Sequence, residues 1–193
     1  MTPRIYLAGP DVFLPAPEAW AARKKALCAA HGLEGVAPLD PAPGLASGAA
    51  APPGLAAWQA IAAANEAHIR SCDALIANLT PFRGPSADPG TVFELGFMRA
   101  LGRPVFGYAV EEKRFAERSR IFLGAQAKRD GAGIWRDAAG MAIEDFGLWD
   151  NLMIEAAILA SGGVLITASA ADRGDDLAVF ARCVQAAATR LGG

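Results

Sequence analysis

The sequence has almost no excess charge: 18 Lys and Arg stand against 20 Asp and Glu, a formal net charge of −2. Nothing supplies the basic field that a nucleic-acid polymer or an anionic membrane surface requires, so neither is an expected partner. Cysteine is scarce, and Cys28, Cys72 and Cys183 lie too far apart for metal-site or redox spacing. An odd count with no framework suits a reducing cytoplasm, where the three act as small buried hydrophobes. Histidine is scarcer still: His31 and His68 share no ligand-like spacing and read as core or surface residues. Long apolar runs are missing. No uncharged stretch reaches the ~18 residues of a membrane span, and no basic segment precedes the short apolar run that Asp11 interrupts, so no signal peptide is expected. There is no internal repeat and no Gly-x-Ser-x-Gly elbow, and Gly162-Gly163 stands without the rest of a dinucleotide fingerprint. No metal and no cofactor is therefore expected.

What is present is apolar: 53% of the 193 residues are hydrophobic, enough for one domain over residues 1–193 to bury a core without staples. Residues 4–8 form a short run of β-formers that Gly9-Pro10 ends. Helical spacing predicts a helix over 18–31, with Gly32 past its end, and another over 56–70. Strands are predicted over 35–39, 72–79, 104–108 and 164–167, and helices over 91–101, 150–161 and 175–191. The Pro/Gly/Ala-rich segment 40–54 reads as a loop or lid, and 111–145 as a short helix with loops. The mixed-charge run 114–120 reads as a solvated helix face. Strand–helix alternation predicts an α/β fold: a parallel sheet flanked by helices on both faces, a flavodoxin-like or Rossmann-like sandwich. Ligands then bind beyond the carboxyl ends of the strands, where loops 9–17, 40–54 and 80–90 emerge.

Three acids are expected at that edge. Asp73 opens the third strand, Asp88 lies in the loop after it, and Glu94 lies early in the next helix. A carboxylate near a helix N-terminus is favoured as the anion, so Glu94 is expected to be ionised and able to act as a nucleophile. Each acid also has an ordinary reading: Glu94 as a first-turn acid, Asp88 as a turn residue before Pro89, Asp73 as a cap. Two carboxylates beside one glycosidic bond suit displacement at an anomeric carbon through an oxocarbenium-like transition state. Mg²⁺ binding is the weaker use, since no Asp-x-Asp pair is present.

Four segments resemble the nucleoside 2-deoxyribosyltransferase family. They are Ile5-Tyr6-Leu7-Ala8-Gly9-Pro10-Asp11-Val12-Phe13, Cys72-Asp73-Ala74-Leu75-Ile76-Ala77-Asn78-Leu79, the Asp-x-Gly-x-x-x-Glu-Leu-Gly signature from Asp88 to Gly96, and Asp150-Asn151-Leu152-Met153. The resemblance implies transfer of a 2-deoxyribosyl group between nucleobases, with a nucleoside and a free base as small-molecule partners. It casts Glu94 as the residue that holds the sugar as a covalent ester, Tyr6 as the group that orients Glu94, and Asp73 as an aid to proton transfer to the leaving base. Asp88 would bind sugar hydroxyls, and Phe13 and Met153 would flank base or sugar. Gly9 and Asp11, in the loop after the first strand, would contact the substrate. Asn151 would complete the site of a neighbouring subunit, which implies a homodimer or larger homo-oligomer. Relatives often carry a polar base-reading residue after the second strand. Here Pro38-Leu39-Asp40-Pro41 leaves Asp40 as the one nearby polar candidate. The chain also runs about 40 residues beyond Asn151, and the 80–86 insertion carries Phe82 and Arg83.

Other functions compete with transfer. A hydrolase of nucleosides or their 5′-monophosphates would use the same intermediate. A cytokinin-type phosphoribohydrolase would share the string Gly90-Thr91-Val92-Phe93-Glu94 but carries two glycines where this chain has Asp88-Pro89. A non-catalytic nucleotide sensor is the third. 2′-Deoxynucleosides are expected to be preferred over ribonucleosides, because the surroundings of Tyr6 and the Gly9-Pro10 turn offer a 2′-hydroxyl no dedicated partner.

Overall fold

The computed structural model describes residues 1–43, 56–169, 172 and 176–192. Residues 44–54 of the predicted lid and residue 175 of the predicted last helix lie outside the described residues. The chain begins with β1 (Arg4–Ala8), α1 (Pro17–Ala30), β2 (Glu34–Val36), α2 (Ala57–Ser71), β3 (Ala74–Asn78), α3 (Pro89–Ala100) and β4 (Val105–Ala109). It continues with α4 (Phe115–Leu123), the short strands β5 (Lys128–Arg129) and β6 (Trp135–Arg136), α5 (Leu152–Ala160), β7 (Leu165–Thr167) and α6 (Asp176–Leu191). A five-stranded sheet runs in the order β2-β1-β3-β4-β7, every pairing parallel. That is the flavodoxin-like order, with its switch point between β1 and β3. The expected α/β sandwich is what the chain forms.

Alternation along the strands sorts the core into two layers. Tyr6, Ala8, Leu75 and Ala77 face α2, α3 and α5, meeting Ile69, Leu95, Met98 and Ile158. Ile5, Leu7, Ala74 and Ile76 face α1 and α6, meeting Cys28, Val179, Phe180 and Cys183. The three cysteines are free and buried. Among the described residues no helix is long and apolar enough to cross a membrane.

Two boundaries differ from expectation for stated reasons. Strand β2 stops at Val36, not at residue 39, because residues 37–40 close a turn. The Ala37 N–H donates to Asp40 Oδ2 (2.9 Å), the Asp40 N–H donates to the Ala37 carbonyl (3.0 Å), and Pro38 has no N–H to give a ladder. Helix α3 starts at Pro89, not at residue 91, because Asp88 caps it and proline suits the first helical position.

The segment 111–145 resolves into α4 and the antiparallel β5–β6 pair. The run 114–120 is not the solvated face that its charges suggest. Arg118 is buried, donating to the carbonyls of Pro85 (2.7 Å), Lys113 (2.6 Å) and Trp149 (2.6 Å), with buried Asp150 3.5 Å away. Guanidinium supplies five fixed donors, which lets one side chain fasten three loop carbonyls.

The Gly162-Gly163 pair is a helix stop. Gly162 takes a left-handed φ of 79°, its N–H donates to the Leu159 carbonyl and the Gly163 N–H to that of Ile158, closing a Schellman turn. Gly163 then passes so close to β4 that an added Cβ would lie 1.8 Å from the Val105 carbonyl oxygen. Gly163→Ala should therefore force backbone movement and destabilise the protein by about 3 kcal/mol or more. Denaturant unfolding checks this, and a loss below about 0.5 kcal/mol would contradict the close approach.

Candidate active site

The site sits at the switch point, where the chain leaves the carboxyl ends of β1 and β3. Tyr6, fully buried on β1, donates from its hydroxyl to Glu94 Oε1 at 2.6 Å. Glu94 stands in the second turn of α3. Six residues before it, Asp88 caps the helix, its Oδ2 accepting from the Thr91 N–H (2.9 Å) and the Thr91 hydroxyl (3.0 Å). Gly9, Phe13, Asp88, Gly90 and Glu94 line one cleft of about 370 Å³ together with Val12, Pro38, Leu39, Ile61, Asn65 and Thr91. One wall is apolar, and the two acids stand along the start of α3.

The cleft wall is held from below. Asn78, at the carboxyl end of β3, donates to Asp11 Oδ1 (3.0 Å) and accepts from the Thr80 N–H (3.1 Å), tying the 9–13 turn to the 80–88 loop. Gly9 passes so near that a Cβ there would fall 2.8 Å from the Asn78 Cβ. Asp11 Oδ2 accepts from buried Lys24, whose ammonium also donates to the Tyr108 hydroxyl at 2.6 Å. Burial lowers the Lys24 pKa, and Asp11 opposes that shift. Above the sheet, Phe13 stacks on Phe82 at 5.4 Å, and the Arg83 guanidinium covers both rings. Ser86 and the Ala87 N–H donate to Asp150, so the Arg118–Asp150 pair sets the far end of the same loop.

Glu94 is not the readily ionised carboxylate that its helix position suggested. Burial pushes its pKa up to about 7, with the charge of Asp88 adding, while the Tyr6 hydrogen bond pulls it down. Desolvation outweighs the helix end because Glu94 lies past the first turn, where the dipole fades. The Tyr6 phenol is pushed far above its usual range by its own burial and then by Glu94, so it stays a donor.

Several expected residues do not reach this cleft. Asp73 precedes β3 at the amino edge of the sheet, where its Oδ2 accepts from the Arg4 N–H at 2.8 Å. A parallel strand carries its first residue roughly 15 Å from the edge where ligands bind. Asp40 is used locally, accepting from Lys25 Nζ and the Ala37 N–H, and does not line the cleft. Asp11 lies beneath the wall, engaged by Lys24 and Asn78. Asn151 caps α5, accepting from the Met153 N–H (3.0 Å) and donating to Glu144 (2.7 Å). Asn151 and Met153 line a separate groove between α3 and α5, of about 680 Å³, and Met153 is 69% exposed there. Asn65 was not anticipated. Its signal was present: an asparagine inside an alanine-rich helix, where it is a poor helix former.

A cleft at this switch point with an acid on a phenol defines an α/β protein built to handle a small ligand. The profile of the family described as Nucleoside 2-deoxyribosyltransferase matches residues 5–153. The chain belongs to the nucleoside 2-deoxyribosyltransferase family. It is 34% identical over 170 residues to an uncharacterized protein of Schizosaccharomyces pombe, covering 83% of this chain and 79% of that one. It is similar to the solved structure of a 2-desoxiribosyltransferase from Leishmania mexicana, at 31% identity and TM-score 0.56, covering 79% of this chain and 85% of that one. A conserved protein from Enterococcus faecalis shares the fold at 21% identity and TM-score 0.53, covering 96% of this chain and 98% of that one.

The raised Glu94 pKa has a stability signature. The folded state holds a proton between pH 4.5 and about 7 that the unfolded chain has released, so stability falls as pH rises through this window. Glu94→Gln keeps an acceptor for Tyr6 and removes the charge. Its Tm should exceed that of the wild type at pH 8, and the gap should shrink towards pH 5. A gap independent of pH would refute the buried-carboxylate assignment.

Proposed function

We propose that the protein exchanges the base of 2′-deoxynucleosides through an ester between C1′ and Glu94. The observation that carries this reading is the hydrogen bond from buried Tyr6 to Glu94, which lines the cleft. Tyr6 holds Oε1 and leaves Oε2 to attack C1′ from the face opposite the base. The C1′–N bond breaks, its electron pair goes to the base, and the departing base takes a proton from water at the cleft mouth. An incoming base then attacks C1′ with a ring nitrogen, sheds its proton and returns Glu94 as the carboxylate. Two displacements at one carbon retain its configuration. Kinship with the Leishmania mexicana enzyme supports transfer.

The test is to mix the protein with a deoxynucleoside and a different free base. A new deoxynucleoside is expected. Free sugar would reassign the protein as a hydrolase, and no reaction would favour a sensor. Glu94→Ala should cost several powers of ten in turnover, because losing a nucleophile removes the chemical path. Retention of more than about a tenth of activity would end that role for Glu94. Only ionised Glu94 attacks, so kcat/KM should rise with pH around a midpoint near 7. A flat profile from pH 5 to 8 would count against it.

The same reading extends to assembly. Asn151 and Met153 stand outside the cleft of their own chain, which suits a residue pair that serves a neighbouring copy. The active form is then a homo-oligomer. Mixing Glu94→Ala with Asn151→Ala protein should regain activity, because a hybrid holds one site with both native residues. An active monomer in sedimentation, or no recovery on mixing, would defeat this arrangement.

A further inference from the structure

We infer that Asn65 reads the sugar: its side-chain oxygen accepts a hydrogen bond from a furanose hydroxyl on the face that Glu94 attacks. The inference rests on the displacement at C1′ proposed above.

Asn65 lies in the interior of α2, one turn after Ile61, and both line the cleft. Asparagine inside a helix competes with the helix unless its amide is used elsewhere. Here one end is used weakly: Nδ2 reaches Glu94 Oε1 at 3.5 Å, the outer limit of a hydrogen bond. The other end is not used. Asn65 Oδ1 is shut off from water and has no partner among the described residues. A buried acceptor without a donor is costly, and the amide cannot be turned over to relieve it. Turning would set Oδ1 against the Glu94 carboxylate and strand the NH₂ group instead. Asn65 lines the cleft, so a donor that entered it and drew the amide outward would complete the arrangement.

The chemistry of the substrate identifies that donor. In a β-nucleoside the base occupies one face of C1′ and the nucleophile approaches the other. The 3′-hydroxyl of every ribo or 2-deoxyribo sugar lies on that second face. The 2′-hydroxyl of a riboside lies there too. Asn65 shares Glu94 Oε1 with Tyr6, so its amide stands beside the attacking group, on the hydroxyl-bearing face. The neighbouring cleft side chains Ile61, Val12 and Leu39 offer no competing acceptor. Asp88 lines the cleft as well: its Oδ2 accepts two bonds from Thr91, and its Oδ1 is a second acceptor for a sugar hydroxyl. The acceptor we assign to that hydroxyl comes from α2.

The test crosses one substitution with three sugars. Wild type and Asn65→Leu are assayed on 2′-deoxyadenosine, adenosine and 2′,3′-dideoxyadenosine, and on the matching thymine series. The readout is kcat/KM for nucleoside consumed, whether exchanged or hydrolysed. Asn65→Leu should lose roughly tenfold to hundredfold on sugars that carry the hydroxyl and less than about threefold on the dideoxy sugar. Loss on both deoxyadenosine and adenosine assigns the 3′-hydroxyl; loss confined to adenosine assigns the 2′-hydroxyl. An equal loss on all three sugars means that Asn65 only positions Glu94, and overturns the proposal, as does no loss on any. Asn65→Ala removes the amide without adding bulk and should show the same dependence on the sugar, which guards against a leucine variant that fails to fold. The product distinguishes the two readings: free sugar would defeat transfer and leave the sugar comparison intact. Without turnover, the same comparison is made in the Kd of the three nucleosides, with the same outcomes.

Discussion

A carboxylate packed largely away from water and held by a phenol hydroxyl is an expensive arrangement, and much of the molecule is built around it. Burial alone would neutralise Glu94. The Tyr6 hydroxyl, 2.6 Å away, pulls the other way and leaves the group poised near neutrality. That balance needs a donor that does not move and does not lose its proton. A strand residue with no exposed surface provides the first condition. Its own burial provides the second. The hydrogen bond between β1 and α3 thus couples the centre of the sheet to the chemistry at its edge.

Two buried cations make that edge rigid from opposite sides. Lys24 rises from α1 to Asp11, and through Asp11 to Asn78, so the 9–13 turn is moored to both α1 and β3. Arg118 comes from α4 and, with Asp150, fastens the 80–88 loop. Removing one partner of a buried pair leaves an uncompensated charge, at a cost of about 3–5 kcal/mol. Neither cation lines the Glu94 cleft. They bear on the site only through the loops they hold.

The parallel sheet was legible because strand and helix periods alternate cleanly in this chain, and the Asp88-to-Gly96 signature stands where β3 hands over to α3. Sequence reasoning failed where a residue's role depends on what faces it. Asp73 opens its strand, and in a parallel sheet the opening end is the wrong edge; the string of residues alone made it look adjacent to Asp88. Arg118 sits in a charged run that suggests solvent, yet its partners are three carbonyls 5, 31 and 33 residues away, invisible to local pattern. Glu94 lines the cleft, but its protonation follows from desolvation, which only packing reveals. The alanines around Asn65 dominate the helical pattern, and only the packed structure shows its side-chain oxygen without a partner among the described residues.

Helix α3 carries Asp88 and Glu94 on one rigid segment, the first as its cap and the second a turn and a half later. The spacing between them is set by helical rise, and no change in a loop can alter it. The walls that would meet a base under the proposed function are different: they come from the 9–13 turn, residues 38 and 39, and α2, each on a separate stretch of chain. Evolution or an engineer can therefore exchange the walls one at a time while the reacting geometry stays constant. A new base preference should be reachable by substitutions at Val12, Leu39 or Ile61, whereas a new reaction would require rebuilding the helix itself.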